Sequence, residues 1–283
     1  MLLKPDRKSV QRLVEMALLE DAPWGDLTSQ TFVPAEAQMR ARLTAREGGV
    51  FCGEDVIAIA MASAGKVETT FAIHDGEAFE AGAIIAECSG PAQAILQAER
   101  VALNFAQRLS GIATLTAKYV AATAGTRAKI VDTRKTTPGL RLLERYAVRC
   151  GGGHNHRFSL SDAVMLKDNH LAALAPNDGS DLAETIRKAR MQLPHTTHVE
   201  IEVDCLDQVP MALSAGADTI LLDNFSIEHL KCAVEQINGR TITEASGGVT
   251  LDRIPEIAAT GVDLISVGAL THSVRALDLG LDI

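Results

Sequence analysis

The sequence predicts two domains of the α/β class, an α+β region followed by a parallel βα barrel, and three observations carry that reading. A chain of 283 residues, 47% of them hydrophobic, exceeds the size at which one core usually divides. Its first part alternates apolar and polar residues between Gly and Pro punctuation. Its later part repeats short apolar runs closed by a polar residue, and four successive run ends, Glu202, Asp223, Ser246 and Gly268, are spaced by 21, 23 and 22 residues. That interval holds a strand, a helix and two short loops.

In chain order, "SVQRLVEMALLE" places Val10, Leu13, Val14, Ala17 and Leu18 at helical spacing and predicts an amphipathic opening helix. From "MRARLTAREGGVFCG" to "GKVETTFAIHDGEAFEAGAIIAECSGP" the pattern predicts strands around one helix near "EDVIAIAMASA". A Pro-free segment from Gln93 to about Ala124 carries Ile95, Ala98, Ala102, Phe105, Leu109 and Ile112 at strides of three and four, a long helix with Arg100 nearly opposite that stripe. Then come "AKIVDTRK", "DAVMLKDNH", "HVEIEVD", "DTILLDN", "TITEASGG" and "DLISVGA". Strands such as "VMLK" and "ILL" are apolar on both faces, as a covered parallel sheet requires. An open doubly wound sheet also fits; the number of polar run ends favours closure into a barrel.

Charge and cysteine usage exclude several function classes. A net charge of −9 argues against nucleic-acid and anionic-membrane partners, which need a cationic footprint. Between Arg127 and Lys167, however, nine Lys or Arg residues stand against three acids, a local +6. No run of about 18 apolar residues exists, and "MLLKPDRKSV" lacks a signal-peptide pattern, so a cytoplasmic protein is expected. Five cysteines without CxxC spacing suggest reduced, mainly buried thiols.

In a βα barrel the strand C-termini converge on one mouth. The residues so gathered are Arg134, Lys135, Lys167, Glu202, Asp223, Ser246 and Gly268, joined by His156 and Arg157 from the glycine-rich "RCGGGHNHR". The cations suit a polyanion, Arg as a planar fork and Lys as a point charge. The carboxylates suit sugar hydroxyls or Mg²⁺. A ligand with several phosphates, a ribose and a metal satisfies both sets. "EASGGV" and "VGAL" offer backbone N–H groups to a phosphate. Three adjacent glycines imply unusual backbone angles or a close ligand approach, and would let the adjacent His156 and Arg157 face one ligand.

The motifs "ERVALNFAQRLSGIAT", "DTRKTTPGLRLLERYAVRCGGGHNHR", "DAVMLKDNH", "VEIEVD", "LLDN", "EASGGV" and "ISVGALTHS", with "EDAPWGDLTS" near the start, resemble those of the quinolinate phosphoribosyltransferase family (nicotinate-nucleotide pyrophosphorylase). The resemblance implies an N-terminal α/β sandwich over residues 1–110, with the C-terminal tail returning to it, and an incomplete βα barrel of about seven strands over 111–283. It implies homodimers, or higher oligomers, with shared active sites. The implied reaction joins quinolinate and phosphoribosyl pyrophosphate, with Mg²⁺, to give nicotinate mononucleotide, pyrophosphate and CO₂ in NAD biosynthesis.

Carried over by motif, Arg134, His156, Arg157 and Lys167 hold quinolinate, and Arg100 reaches in from a neighbouring subunit. Lys135, Glu202 and Asp223 serve phosphoribosyl pyrophosphate, with Glu202 and Asp223 as candidate metal ligands. Ser246, Gly247, Gly248 and Gly268 hold the 5′-phosphate, and Arg46 is a further candidate contact. Arg141, Arg145 and Arg149, at helical spacing, are read as a solvated helix face or a set of ion pairs. Asp223 alone reads equally well as a helix cap, whereas Glu202 between Ile201 and Val203 calls for a paired or functional role. The competing functions are a molybdenum-transport-associated relative, a non-catalytic polyanion-binding barrel, and a metal-dependent hydrolase built on "HNH".

Overall fold

The computed structural model describes residues 3–174 and 181–283. They divide into two compact units, residues 1–117, 135–153 and 269–283 in one and 118–134 and 154–268 in the other.

The first unit opens with α1 (Arg7–Asp21), whose N-cap Asp6 accepts from Ser9 N and so satisfies one of the N–H groups a helix start leaves open. Val10 and Val14 bury its apolar stripe. The chain continues through α2 (Leu27–Phe32), β1 (Gln38–Ala45), β2 (Gly49–Val50), α3 (Glu54–Ala64), β3 (Glu68–Phe71), β4 (Ala78–Phe79) and β5 (Ile84–Pro91). The helix α4 (Ala92–Ala121) runs through the boundary between the units. Ile95, Ala98, Ala102, Leu109 and Ile112 are buried along it, and Arg100 is exposed.

The second unit holds six parallel strands: β6 (Lys129–Val131), β7 (Val164–Leu166), β8 (Val199–Val203), β9 (Thr219–Asp223), β10 (Ile242–Ser246) and β11 (Leu264–Ser266). Each predicted apolar run contains one of them. The first unit meanwhile takes back α5 (Arg141–Cys150), and the second carries α6 (Asp168–Leu174), α7 (Leu182–Arg190), α8 (Val209–Ser214), α9 (Ile227–Ile237) and α10 (Ile254–Ala258). The chain ends in the first unit with α11 (Ala269–His272) and β12 (Leu279–Asp282), giving a four-stranded antiparallel sheet in the order β12-β1-β5-β3.

The parallel sheet runs β6-β11-β10-β9-β8-β7. Beyond β6 a seventh stave is reduced to one parallel bridge, Val131 to His154, with His154 N donating to Ile130 O at 2.8 Å and Asp132 N to His154 O at 3.1 Å. The barrel is therefore incomplete, with six full strands among the described residues. Ile201, Ile220, Leu222 and Ile265 are fully buried on one face of the staves. The period of two then puts Glu200, Glu202, Asp223, Glu244 and Ser246 on the opposite, inner face.

The helix α5 removes the first of the two alternatives for its arginines, a solvated face, and leaves the second, a set of ion pairs. Its residues Leu143 to Val148 are all buried, and Arg145 is only 9% exposed, so Arg141, Arg145 and Arg149 do not form a solvated face. Helical spacing registers three cations on one side but not whether that side meets water.

The three glycines after α5 also have a packing role. A Cβ at Gly151 would sit 2.3 Å from Ala113 O, and one at Gly153 would sit 2.8 Å from Thr116 Cγ2. Gly152 between them has φ +83°. Close approach to α4 and a left-handed turn thus account for the run. No helix among the described residues is long and apolar enough to cross a membrane.

Candidate active site

Because the six strands of the second unit are parallel, their C-terminal ends emerge at one side, and most sequence-predicted site residues stand there. Arg134 sits at a bend three residues beyond β6, and Lys167 directly follows β7. Glu202 is the penultimate residue of β8, Asp223 and Ser246 end β9 and β10, and Gly268 lies two residues past β11. The register pairs Glu202 with Leu221, Leu221 with Glu244, and Asp223 with Ser246. Glu202 and Glu244 therefore share one level of the inner face, and Asp223 and Ser246 the next. Lys135, Arg100 and Arg46 belong to the first unit. There Lys135 O accepts from Thr271 Oγ1 at 2.7 Å, and Arg46 is ion-paired with Asp282 of β12.

Like charges lie close in the cationic set. Burial and the neighbouring Arg134 guanidinium hold the Arg157 pKa below the usual arginine value, against the pull of Glu200 and Asp162. Arg157 Nη1 donates to Ala163 O at 2.8 Å, which fixes the half-buried side chain. Two guanidinium groups close enough to repel one another would gain from a bound anion, which converts repulsion into attraction. Lys167 Nζ makes an ion pair with Glu202 Oε2, their side chains 44% and 15% exposed. This pair links the cationic and the acidic halves of the inner face.

Asp223 Oδ2 accepts from Asn224 Nδ2 at 2.7 Å, and Ser226 rather than Asp223 caps α9, its side chain accepting from His229 N. The capping reading of Asp223 is thereby replaced. Asn224 itself has φ +57°. After β10 the chain turns through Gly247 (φ +89°) and Gly248 (φ +56°). A Cβ at Gly247 would come within 2.2 Å of Asn224 Oδ1, whereas nothing lies within 4 Å of one at Gly248. Of the two, Gly248 alone has open space beside it, the room a phosphate cradle needs.

His156, which the motif assigns to quinolinate, is anchored among buried acids. Its N–H donates to Asp132 Oδ1 at 2.7 Å, and Asn155 Nδ2 donates to Asp132 Oδ2 at 2.6 Å. The ring points inward, with Nε2 2.8 Å from Glu200 Oε2 and 3.8 Å from Glu244 Oε1. Sequence reasoning missed Glu200, Glu244 and Asp132, which are 3%, 1% and 0% exposed. The signal for Glu200 was its position two residues before Glu202 on the same strand. Burial opposes charge on the His156 ring, but the bond to Glu200 and the charge of Glu244 outweigh it and raise the imidazole pKa. Glu244 is pushed up to about 8 by burial and by Glu200.

Residues 26–110 match the family "Quinolinate phosphoribosyl transferase, N-terminal domain", and residues 112–282 match "Quinolinate phosphoribosyl transferase, C-terminal domain". The probable nicotinate-nucleotide pyrophosphorylase [carboxylating] of Bacillus subtilis is 42% identical over 275 residues, covering 97% of this chain and 93% of that protein. A quinolinate phosphoribosyltransferase [decarboxylating] of Nicotiana tabacum, 2b, mitochondrial, is 40% identical over 97% of this chain and 82% of its own length. Among solved structures, the nicotinate-nucleotide pyrophosphorylase from Francisella tularensis superimposes with a TM-score of 0.92 at 40% identity, covering 100% of this chain and 98% of that one.

Proposed function

The chain belongs to the quinolinate phosphoribosyltransferase family, and on that premise we propose that it transfers the phosphoribosyl group of phosphoribosyl pyrophosphate to quinolinate with decarboxylation. The products are nicotinate mononucleotide, pyrophosphate and CO₂, which makes the protein a pentosyltransferase of NAD biosynthesis. The observation that carries this reading is what gathers where the parallel strands end: a repelling pair, Arg134 and Arg157, and a cation–acid pair, Lys167 and Glu202. A non-catalytic anion binder has no use for the acids.

The division of labour follows from charge. Quinolinate carries two carboxylates, which Arg134, Arg157 and Lys167 hold. Ser246, Gly247, Gly248 and Gly268 receive the 5′-phosphate. As pyrophosphate departs, positive charge develops on the ribose, and Glu202 and Asp223 stabilise it. Alkylation of the ring nitrogen leaves a positive charge beside the C2 carboxylate. That charge stabilises the carbanion left by CO₂ loss, so the second step needs orientation more than an added base.

Glu202 and Asp223 also suit Mg²⁺, which is commonly held by one or two carboxylates plus substrate phosphates and water. Bound there, the ion would neutralise the leaving pyrophosphate. By the family resemblance Lys135 serves phosphoribosyl pyrophosphate, and Arg100, exposed on α4, serves a neighbouring subunit of a homodimer or larger assembly. A cytoplasmic setting agrees with five free thiols.

The deciding assay incubates the protein with quinolinate, phosphoribosyl pyrophosphate and Mg²⁺ and follows CO₂ and nicotinate mononucleotide. Absence of product while both substrates bind would end the proposal. Two variants test its parts. Arg134→Ala should weaken quinolinate binding by roughly 1.5–3 kcal/mol, the range for hydrogen bonds to charged groups, and affect phosphoribosyl pyrophosphate less; calorimetry showing equal losses would contradict the division. Mixing Arg100→Ala protein with Lys135→Ala protein should restore activity through hybrid dimers. If subunits demonstrably exchange and activity stays absent, the shared site is wrong.

A further inference from the structure

Below the level of the phosphate cradle, Glu244 is 1% exposed and takes no part in the mechanism above. Its Oε1 has no hydrogen-bond partner, and neither does Oε1 of Glu200. Between them stands His156. The N–H of Arg157 donates to His156 Nδ1 at 2.7 Å, so Nδ1 holds the lone pair and the ring proton sits on Nε2. That proton goes to the nearer acid, Glu200, at 2.8 Å. One donor cannot serve two buried carboxylates. An ionised Glu244 would be an unpaired charge in an enclosed space, which costs several kcal/mol.

We propose that Glu244 is a positioning residue of the quinolinate site: held as a neutral acid, it confines the negative charge beneath Arg134 and Arg157 to the single carboxylate that orients His156. Burial, Glu200 facing it from β8 and Asp132 from the end of β6 all oppose a charge on Glu244, and they outweigh the two groups that favour one, His156 from the bridged segment and the Ser266 hydroxyl of β11. Leu221 is its register neighbour on β9 and brings no charge. One level along, Glu202 is already paired with Lys167. His156, whose Nδ1 accepts from Arg157 N, has one ring N–H to give, and Glu200 engages it more closely than Glu244 does. Loss of the Glu244 proton would therefore add an uncompensated negative charge under the dianion and weaken its binding. The upward shift of the Glu244 pKa to about 8 puts that event within reach of ordinary assays.

The inference rests on the quinolinate reading, and the test separates the two. Steady-state kinetics are run from pH 7 to pH 9 with quinolinate varied and the other substrate and Mg²⁺ saturating, for wild type and Glu244→Gln. A single group titrating near 8 should raise the wild-type KM for quinolinate about tenfold across that range, with kcat changing less. Glu244→Gln, which cannot ionise, should flatten the rise. The same tenfold rise in Glu244→Gln, or no rise in wild type, overturns the proposal.

Should that variant fail to fold, infrared spectroscopy of the wild type decides. The carbonyl band of a protonated carboxyl must be present at pH 7 and vanish as pH passes about 8; its absence at pH 7 sinks the idea. No product at any pH counts against the activity itself, and the infrared band then judges Glu244 alone.

Discussion

A Glu202→Gln protein is expected to turn over about 10²–10³-fold more slowly than wild type with both substrates saturating, the loss typical of removing one preorganised electrostatic contact to a transition state. The carboxylate is mostly shielded, its side chain 15% exposed, so its charge acts on the ribose with little screening by water. Quinolinate binding should not suffer in parallel. Quinolinate is an anion, and deleting a nearby negative charge does not repel it. Lys167, freed from its partner, gains for quinolinate. The signature is therefore a fall in kcat with no rise in the KM for quinolinate. A raised KM for phosphoribosyl pyrophosphate at unchanged kcat would reassign Glu202 to ground-state binding. Denaturant unfolding separates chemistry from folding, because a pair whose lysine is 44% exposed contributes about 1 kcal/mol or less to stability.

Much of this architecture is legible in the sequence because a parallel strand buried on both faces has few ways to be written. It must be apolar through its length, and its first polar residue marks where the chain emerges. "TILLD" and "VMLK" show both properties, and the structure ends β9 at Asp223 and puts Lys167 just past β7. The inner acids were harder to read. Glu200 and Glu244 lie within strands, where an acid between apolar residues looks like ordinary alternation with a wet outer face. Only the curling of the sheet into a partial barrel makes that face interior, and that arrangement depends on pairings such as β6 with β11, far apart in sequence. The floor beneath the anion site was hidden for that reason, although Glu202 had already been singled out on the same strand. Asp132 was hidden differently: its partners are the backbone of His156 and the side chain of Asn155, contacts that no local pattern encodes. The glycine run was conspicuous, yet its packing against Ala113 and Thr116 required knowing which helix lay beside it.

The most damaging single substitution to the fold of the first unit should be Arg108→Ala. Arg108 Nε donates to Glu144 Oε1 at 2.8 Å, its Nη2 donates to Thr137 Oγ1 at 2.8 Å and to Thr271 O at 3.0 Å, and Glu144 Oε2 accepts from Thr137 N at 3.0 Å. Glu144 is fully buried. Truncating the arginine strands a buried carboxylate, a change that costs about 3–5 kcal/mol, whereas replacing both partners by apolar groups of similar size costs much less. Arg108→Ala should thus shift the urea midpoint far more than an Arg108→Met, Glu144→Leu double variant. Equal midpoint shifts for the single and the double variant would mean that lost packing of the arginine stem, not the stranded charge, is responsible. Function should follow structure here, because Thr137 lies two residues from Lys135, and Thr271, whose carbonyl Arg108 holds, donates through its hydroxyl to the Lys135 carbonyl. At temperatures where Arg108→Ala remains folded, its KM for phosphoribosyl pyrophosphate should rise more than its KM for quinolinate, since the loosened segment carries Lys135 and not Arg157.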